Sequence, residues 1–122
     1  MREKVAAAKT IHSAPCTGAG ICAAQAGRSV QFHSAVAVAC VARGYERAFI
    51  DLTVVRLRPL LPAEIERYLD ADEPWDCAGS LRSEALGATL CEAIESQDPS
   101  GLIGLPLIAL ASVLRECGYR LP

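Results

Sequence analysis

The stretch Pro74–Gly87 sets the tightest limits on how this chain can fold. Its two glycines, Gly79 and Gly87, can adopt backbone conformations that are closed to other residues, and they let another group approach the main chain closely. Polar and ionisable residues stand between and before them: Asp76, Ser80, Arg82, Ser83 and Glu84. An Arg, a Glu and two hydroxyls in so short a loop could hold an anionic, hydrogen-bonding ligand. A structural loop with solvated charges is the alternative, and the loop residues alone leave both interpretations open.

Two β-strands are predicted upstream of this stretch. Residues 29–42 are rich in Val and Ala, which is typical of a strand, and residues 48–57 form the next one. The turn signal between them, around Gly44, predicts that the two strands pair as a hairpin. Arg56 and Arg58 are expected near the exposed face of this hairpin, where either could reach a phosphate or simply be solvated.

Two helices are predicted as well. Pro62 suits the first turn of a helix over residues 62–69, whose apolar face consists of Ile65, Tyr68 and Leu69. Pro106 begins a second helix over residues 106–117. Its packed face is expected to carry Leu107, Leu110, Ala111 and Leu114. This second helix is predicted to pack in the hydrophobic core and to carry no catalytic or binding residue.

Residues 1–27 stay unassigned and are expected to be irregular. The alanines of Met1–Lys9 favour a helix, whereas Pro15 and the glycines that follow it interrupt any regular element.

Composition points to one ordinary globular domain. With 52% apolar residues, 21% charged residues and a net charge of −2, nothing favours nucleic acid or an anionic membrane as a partner. No convincing signal peptide and no apolar run long enough to span a bilayer are present, which predicts a cytoplasmic location. The scattered cysteines make a zinc site improbable and predict reduced thiols; they are Cys16, Cys22, Cys40, Cys77, Cys91 and Cys117.

Two motifs together resemble a known family. Asp76–Gly87 reads Asp-Cys-Ala-Gly-Ser-x-x-Ser-Glu-x-Leu-Gly, and Gly104–Ile108 reads Gly-Leu-Pro-Leu-Ile. The pair resembles the C-terminal half of the Maf family of nucleoside triphosphate pyrophosphatases, most of all its YceF-type branch, which acts on 7-methyl-GTP. The resemblance runs from about Arg28 to Cys117.

The resemblance implies an α/β fold: a Maf/ITPase-like mixed sheet flanked by helices, here in an incomplete version. Residues 28–122 would form the Maf-like C-terminal portion. Helix propensity favours a helix over residues 81–96, but the resemblance implies a strand over residues 88–94, and tertiary context often overrides propensity. Family members split a nucleoside triphosphate into a nucleoside monophosphate and pyrophosphate with the help of a divalent cation, Mg²⁺ or Mn²⁺.

The resemblance also assigns roles within the loop. Glu84 falls where the family has a residue that governs substrate choice, and a carboxylate there could accept hydrogen bonds from the guanine N–H edge and favour a cationic, methylated base. Arg82 occupies a usually basic position and could touch the triphosphate. Ser83, Ser80 and Gly79 would shape the pocket.

The catalytic motifs implied by the resemblance are not in this sequence. The family uses a Ser-x-Ser-x-Arg-Arg loop, a Gly-x-Asp base and a Gly-Lys-Pro lysine, whereas residues 1–50 contain no Asp and no Lys follows Lys9. No catalytic residue and no metal ligand can therefore be named. The alternative to an enzyme is a truncated, non-catalytic remnant that binds a nucleotide or a partner, and uncovered strand edges predict a homo-oligomer.

Overall fold

The computed structural model describes residues 5–8 and 18–122 of the chain, and these form a mixed α/β structure. The strands are β1 (Val5–Ala8), β2 (Ser29–Cys40), β3 (Tyr45–Leu57) and β4 (Cys91–Ser96). The helices are α1 (Gly18–Gln25), α2 (Pro62–Asp72), α3 (Pro99–Ile103) and α4 (Leu107–Glu116), and short 3₁₀ turns lie at Val41–Arg43, Ala78–Ser80 and Leu86–Leu90. None of the helices in this part of the chain is both long and apolar enough to cross a membrane.

The strands form one four-stranded sheet in the order β1-β2-β3-β4. β1 runs antiparallel to β2, with Val5 opposite Val38 and Ala8 opposite Ala35. β2 and β3 are neighbours joined by a short turn that ends at Gly44, where φ is +58°. Such a short connection allows only antiparallel pairing. The predicted hairpin and the α/β class are therefore confirmed.

The structure corrects the predictions at both ends of the sheet. Residues 5–8, where alanines favour a helix, form a strand, because pairing with β2 outweighs a small propensity. The predicted strand over residues 88–94 begins at Cys91, after a 3₁₀ turn over Leu86–Leu90. Helix propensity over residues 81–96 is thus overridden. The helix α1 lies within residues 1–27, which were expected to be irregular, and no helix was predicted where α3 lies.

The described residues divide into two compact units. The first unit holds β1, His33–Leu52 and Ser96–Pro122; the second holds α1, the residues from there to Phe32, and Thr53–Glu95. In the first unit, Val36 and Val38 of β2 pack with Leu110 and Val113 of α4. The predicted packed face of α4 is therefore partly wrong: Leu110 is buried as expected, but Leu107 is exposed and Val113 takes a core position.

In the second unit, α2 buries the apolar face that its spacing predicts, Ile65, Tyr68 and Leu69. The inward-facing side chains of β3 alternate along the strand, so Val55 and Leu57 are buried there. Leu90, at the end of the turn before β4, is also buried. Cys22, Cys77 and Cys91 are free thiols, and Cys16 lies outside the described residues.

Candidate functional site

The hydroxyl group of Tyr68 organises the loop that follows α2. Tyr68 donates a hydrogen bond to the carbonyl oxygen of Ser80 (2.9 Å) and accepts one from the backbone N–H of Arg82 (2.9 Å). Burial raises the pKa of Tyr68 to about 12, and the N–H of Arg82 acts in the opposite direction. The phenol is therefore neutral throughout the physiological range. Helical spacing places Tyr68 only on an apolar face, because spacing does not show where a hydroxyl points.

The side chain of Arg82 anchors the same loop to the end of α2. Its Nη1 donates to the carbonyl oxygen of Asp72 (2.7 Å), and its Nη2 lies 3.4 Å from Oδ1 of Asp76. The last carbonyls of a helix have no partner within the helix, and they carry the negative end of its dipole, so a guanidinium group stabilises this end. Arg82, predicted to touch a triphosphate, thus already uses donors to shape the loop.

Two positive φ values turn the backbone at the centre of the loop. Gly79 has φ +60° and Ser80 has φ +52°, a conformation that costs a non-glycine residue more. A Cβ on Gly79 would lie 3.2 Å from Nε2 of Gln25, and a Cβ on Gly87 would overlap the carbonyl group of Arg82. Gly79 is favoured by its positive φ, and Gly87 is needed because the backbone of Arg82 packs closely against it. Ser80 is buried as well.

Ser83 and Glu84 are the two predicted site residues at the accessible side of the loop. Glu84 is exposed and Ser83 is half-buried. The hydroxyl of Ser83 lies 3.5 Å from Oε2 of Glu84 and can donate to it. A carboxylate and a neighbouring hydroxyl offer hydrogen-bond acceptors and one donor to a ligand. The structure therefore brings these two side chains together, while Gly79, Ser80 and Arg82 contact other parts of the protein and shape the loop.

A partly buried ion pair between Arg58 and Glu64 lies in the same unit. Nη1 of Arg58 is 2.9 Å from Oε1 of Glu64, and Nε of Arg58 donates to the carbonyl oxygen of Thr89 (2.9 Å). Oε2 of Glu64 accepts from the backbone N–H of Leu61 (2.8 Å) at the start of α2. That backbone hydrogen bond and then Arg58 lower the pKa of Glu64. Glu64 therefore closes the first turn of α2.

Next to this ion pair is a cavity of about 190 Å³. Neither Arg82 nor Glu84 lines it; its walls are Arg58, Glu64, Arg67, Tyr68, Leu86, Thr89 and Leu90. Local sequence patterns do not show this cavity, because its residues come from the segment after β3, from α2 and from the turn before β4.

The first unit has a buried carboxylate of its own. Asp98 accepts hydrogen bonds from the backbone N–H groups of Ser100 (3.0 Å) and Ile108 (2.7 Å), so that it caps α3 and ties it to α4. Burial works against the charged form, but the hydrogen bonds from Ser100 and Ile108 outweigh it and lower the pKa of Asp98. Burial, and then the charge of Asp98, raise the pKa of Asp51. Asp98 is therefore a structural group.

The described residues do not offer a metal site. Over residues 5–8 and 18–122, no three His, Cys, Asp or Glu side chains are grouped so that they could hold a metal ion. No chemical step is therefore assigned to the divalent cation that the family resemblance implies.

Comparison with known proteins matches most of the chain. The Maf-like protein family matches residues 19–117. A protein of Xanthomonas oryzae pv. oryzae named 7-methyl-GTP pyrophosphatase is 58% identical over 101 residues, which cover 81% of this chain and 51% of that protein. Proteins of the same name from Polaromonas sp. and Burkholderia pseudomallei are 44% and 47% identical, over 78% and 80% of this chain and 43% and 46% of their own lengths.

The extent of the match is informative in itself. The chain spans about half the length of the curated relatives it matches. Because the family match covers well over half of this chain, the chain belongs to the Maf-like family.

Proposed function

We propose that this chain provides the nucleotide-recognition portion of a nucleoside triphosphate pyrophosphatase that acts on 7-methyl-GTP or a related nucleotide. The observation that carries the proposal is the 58% identity to a relative named 7-methyl-GTP pyrophosphatase. The reaction would be hydrolysis of the bond between the α and β phosphates, which adds water and releases a nucleoside monophosphate and pyrophosphate.

In this proposal, Glu84 selects the base. Its exposed carboxylate accepts hydrogen bonds from the N–H edge of guanine, and its negative charge favours a ring that methylation has made cationic. Ser83 stands beside it and orients it. Tyr68 and Arg82 act as positioning residues, since their hydrogen bonds determine where the loop presents Glu84.

Catalytic groups are not part of the proposed contribution of this chain. Phosphoanhydride hydrolysis needs cations that neutralise phosphate oxygens and a carboxylate that orients or deprotonates the attacking water. The motifs that the family resemblance assigns to those tasks are not in the sequence. A divalent cation, Mg²⁺ or Mn²⁺, belongs to the proposal through the resemblance alone. We therefore expect little or no turnover by this chain alone.

The test measures binding and turnover separately. Pyrophosphate release from 7-methyl-GTP with Mg²⁺ or Mn²⁺ should stay near background, whereas millimolar 7-methyl-GTP should raise the melting temperature. Glu84→Gln should remove that thermal shift, and with it the preference for 7-methyl-GTP over GTP. Glu66→Gln is the matched control, because Glu66 is an exposed carboxylate on α2 of the same unit.

Each result has a clear meaning. A thermal shift that Glu84→Gln leaves intact would remove Glu84 from the site. No shift with any nucleotide would contradict nucleotide recognition by this chain. Robust turnover would show that a catalytic base is present after all, and the division of labour proposed here would be wrong.

A further inference from the structure

The cavity beside the Arg58–Glu64 ion pair offers a ligand mainly hydrogen-bond donors. Both carboxylate oxygens of Glu64 are engaged, one by Arg58 and the other by the N–H of Leu61. The hydroxyl of Tyr68 is engaged by Ser80 and Arg82, and the hydroxyl of Thr89 donates to the carbonyl oxygen of Leu86 (2.7 Å). The acceptors in the wall are therefore largely used within the protein.

The guanidinium groups have donors to spare. Arg58 uses Nε and Nη1, and its Nη2 makes no hydrogen bond to any described residue. Arg67 is exposed on α2 and makes neither a hydrogen bond nor an ion pair within the described ranges, although its charge acts on Glu64. Two cations and one carboxylate leave the cavity with a net positive charge. A ligand that meets spare guanidinium donors in a positive cavity is an oxyanion.

The rest of the wall is apolar and sets the size of that oxyanion. Leu90 is buried, Leu86 is partly exposed, and Tyr68 of α2 also lines the cavity. A volume of about 190 Å³ is several times the roughly 30 Å³ that one water occupies in the liquid, and smaller than the pockets of drug-sized ligands. Inorganic phosphate would leave the leucines without a contact.

We propose that this cavity binds a small organic oxyanion, a carboxylate or phosphate monoester that carries one compact apolar group. Arg58 and Arg67 hold the oxyanion, and Leu86 and Leu90 contact the apolar group. The site is separate from the Ser83–Glu84 site, because neither of those residues lines the cavity. It therefore does not depend on the function proposed above.

The test is an NMR titration of the whole chain with benzoate, phenyl phosphate and inorganic phosphate, with benzamide as the neutral analogue of benzoate. We expect saturable shifts of the methyl signals of Leu86 and Leu90 with benzoate, with phenyl phosphate, or with both. The better of the two identifies the headgroup. Benzamide should bind far more weakly, because it lacks the charge that the guanidinium groups recognise.

Variants test the role of the cations. Arg67→Gln should weaken binding about tenfold, the size expected when one charge-assisted hydrogen bond is lost. Arg67 is exposed and holds no described residue in place, so the variant should fold. Arg28→Gln is the control, since it removes the same charge from an exposed position of the same unit outside the cavity.

Several outcomes would overturn the proposal. Benzamide binding as tightly as benzoate would show that charge is not recognised. Inorganic phosphate binding as tightly as phenyl phosphate would show that the apolar group of the ligand adds nothing to binding. Equal affinities of the wild type and Arg67→Gln, or no saturable shift with either organic anion, would exclude the site altogether.

Discussion

Tyr68 shows how one side-chain atom can hold a loop in place. Its hydroxyl donates a hydrogen bond to the carbonyl group of Ser80 and accepts one from the N–H of Arg82. Ser80 is itself buried. A buried backbone group that loses its partner keeps the full cost of leaving water. The hydroxyl therefore matters more for the loop than an exposed hydroxyl would.

Tyr68→Phe should lower the free energy of unfolding by about 1–3 kcal/mol, because it leaves two backbone groups without a partner while keeping the ring. Denaturant unfolding measures the effect. Tyr45→Phe is the control: the hydroxyl of Tyr45 donates to Glu116 at an exposed position, so little change is expected. Equal stabilities of Tyr68→Phe and the wild type would show that water replaces the lost hydroxyl.

Tyr68 should also affect how the stability of the protein depends on pH in the alkaline range. Its folded-state pKa of about 12 lies above the ordinary value of 10.0, so its contribution to stability is present below pH 10 and is lost as the pH rises toward 12. Tyr68→Phe should abolish that part of the alkaline loss of stability, which denaturant unfolding at increasing pH measures.

At the scale of elements, α3 is a helix that the sequence did not predict. It is short, and its start depends on Asp98. The carboxylate of Asp98 accepts hydrogen bonds from the N–H of Ser100 and from the N–H of Ile108 at the start of α4. A helix of this length has little stability of its own, so the capping carboxylate and the tertiary contact decide whether it forms.

Asp98→Ala should cost about 1–3 kcal/mol at neutral pH, through the lost cap and the unpaired N–H of Ile108. Because the folded-state pKa of Asp98 is lowered, its contribution is present above about pH 4 and is lost as the pH falls through the folded-state value. The difference from the wild type should shrink accordingly in unfolding measured from pH 7 down to pH 3.

Asp70→Ala provides the comparison for that experiment. Asp70 is an exposed carboxylate on α2 with no hydrogen bond to the described residues, so its removal should change stability little at any pH. A cost of Asp98→Ala that does not change with pH would mean that the carboxylate acts by packing and not by charge.

At the scale of the whole molecule, apolar surface is left uncovered. In the first unit the side chain of Ile50 on β3 is 68% exposed, and Ile103 and Ile108 are exposed on α3 and α4. β1 and β4 are the outer strands of the sheet. Exposed apolar side chains and free strand edges both favour self-association.

We therefore expect concentration-dependent oligomers in size-exclusion chromatography with light scattering. Ile50→Thr keeps a β-branched residue in the strand and should shift the equilibrium toward the monomer. Val41→Thr is the matched control, at a position that is 95% exposed in the turn between β2 and β3. A wild type that remains monomeric at all concentrations would contradict the expectation.

The sequence by itself determined the class of fold, the β2–β3 hairpin, the apolar face of α2 and the family, since each of these depends on local periodicity or on a motif of fixed spacing. Tertiary structure decided the rest. Residues 5–8 became a strand because β2 offered a partner, and Leu107 was exposed because the core met Leu110 and Val113 instead. Tyr68, Arg82 and Arg58 acquired their roles through hydrogen bonds to backbone atoms of residues that spacing alone does not bring together. Local patterns show which residues are buried, but the partner of a polar atom depends on how distant segments of the chain are packed.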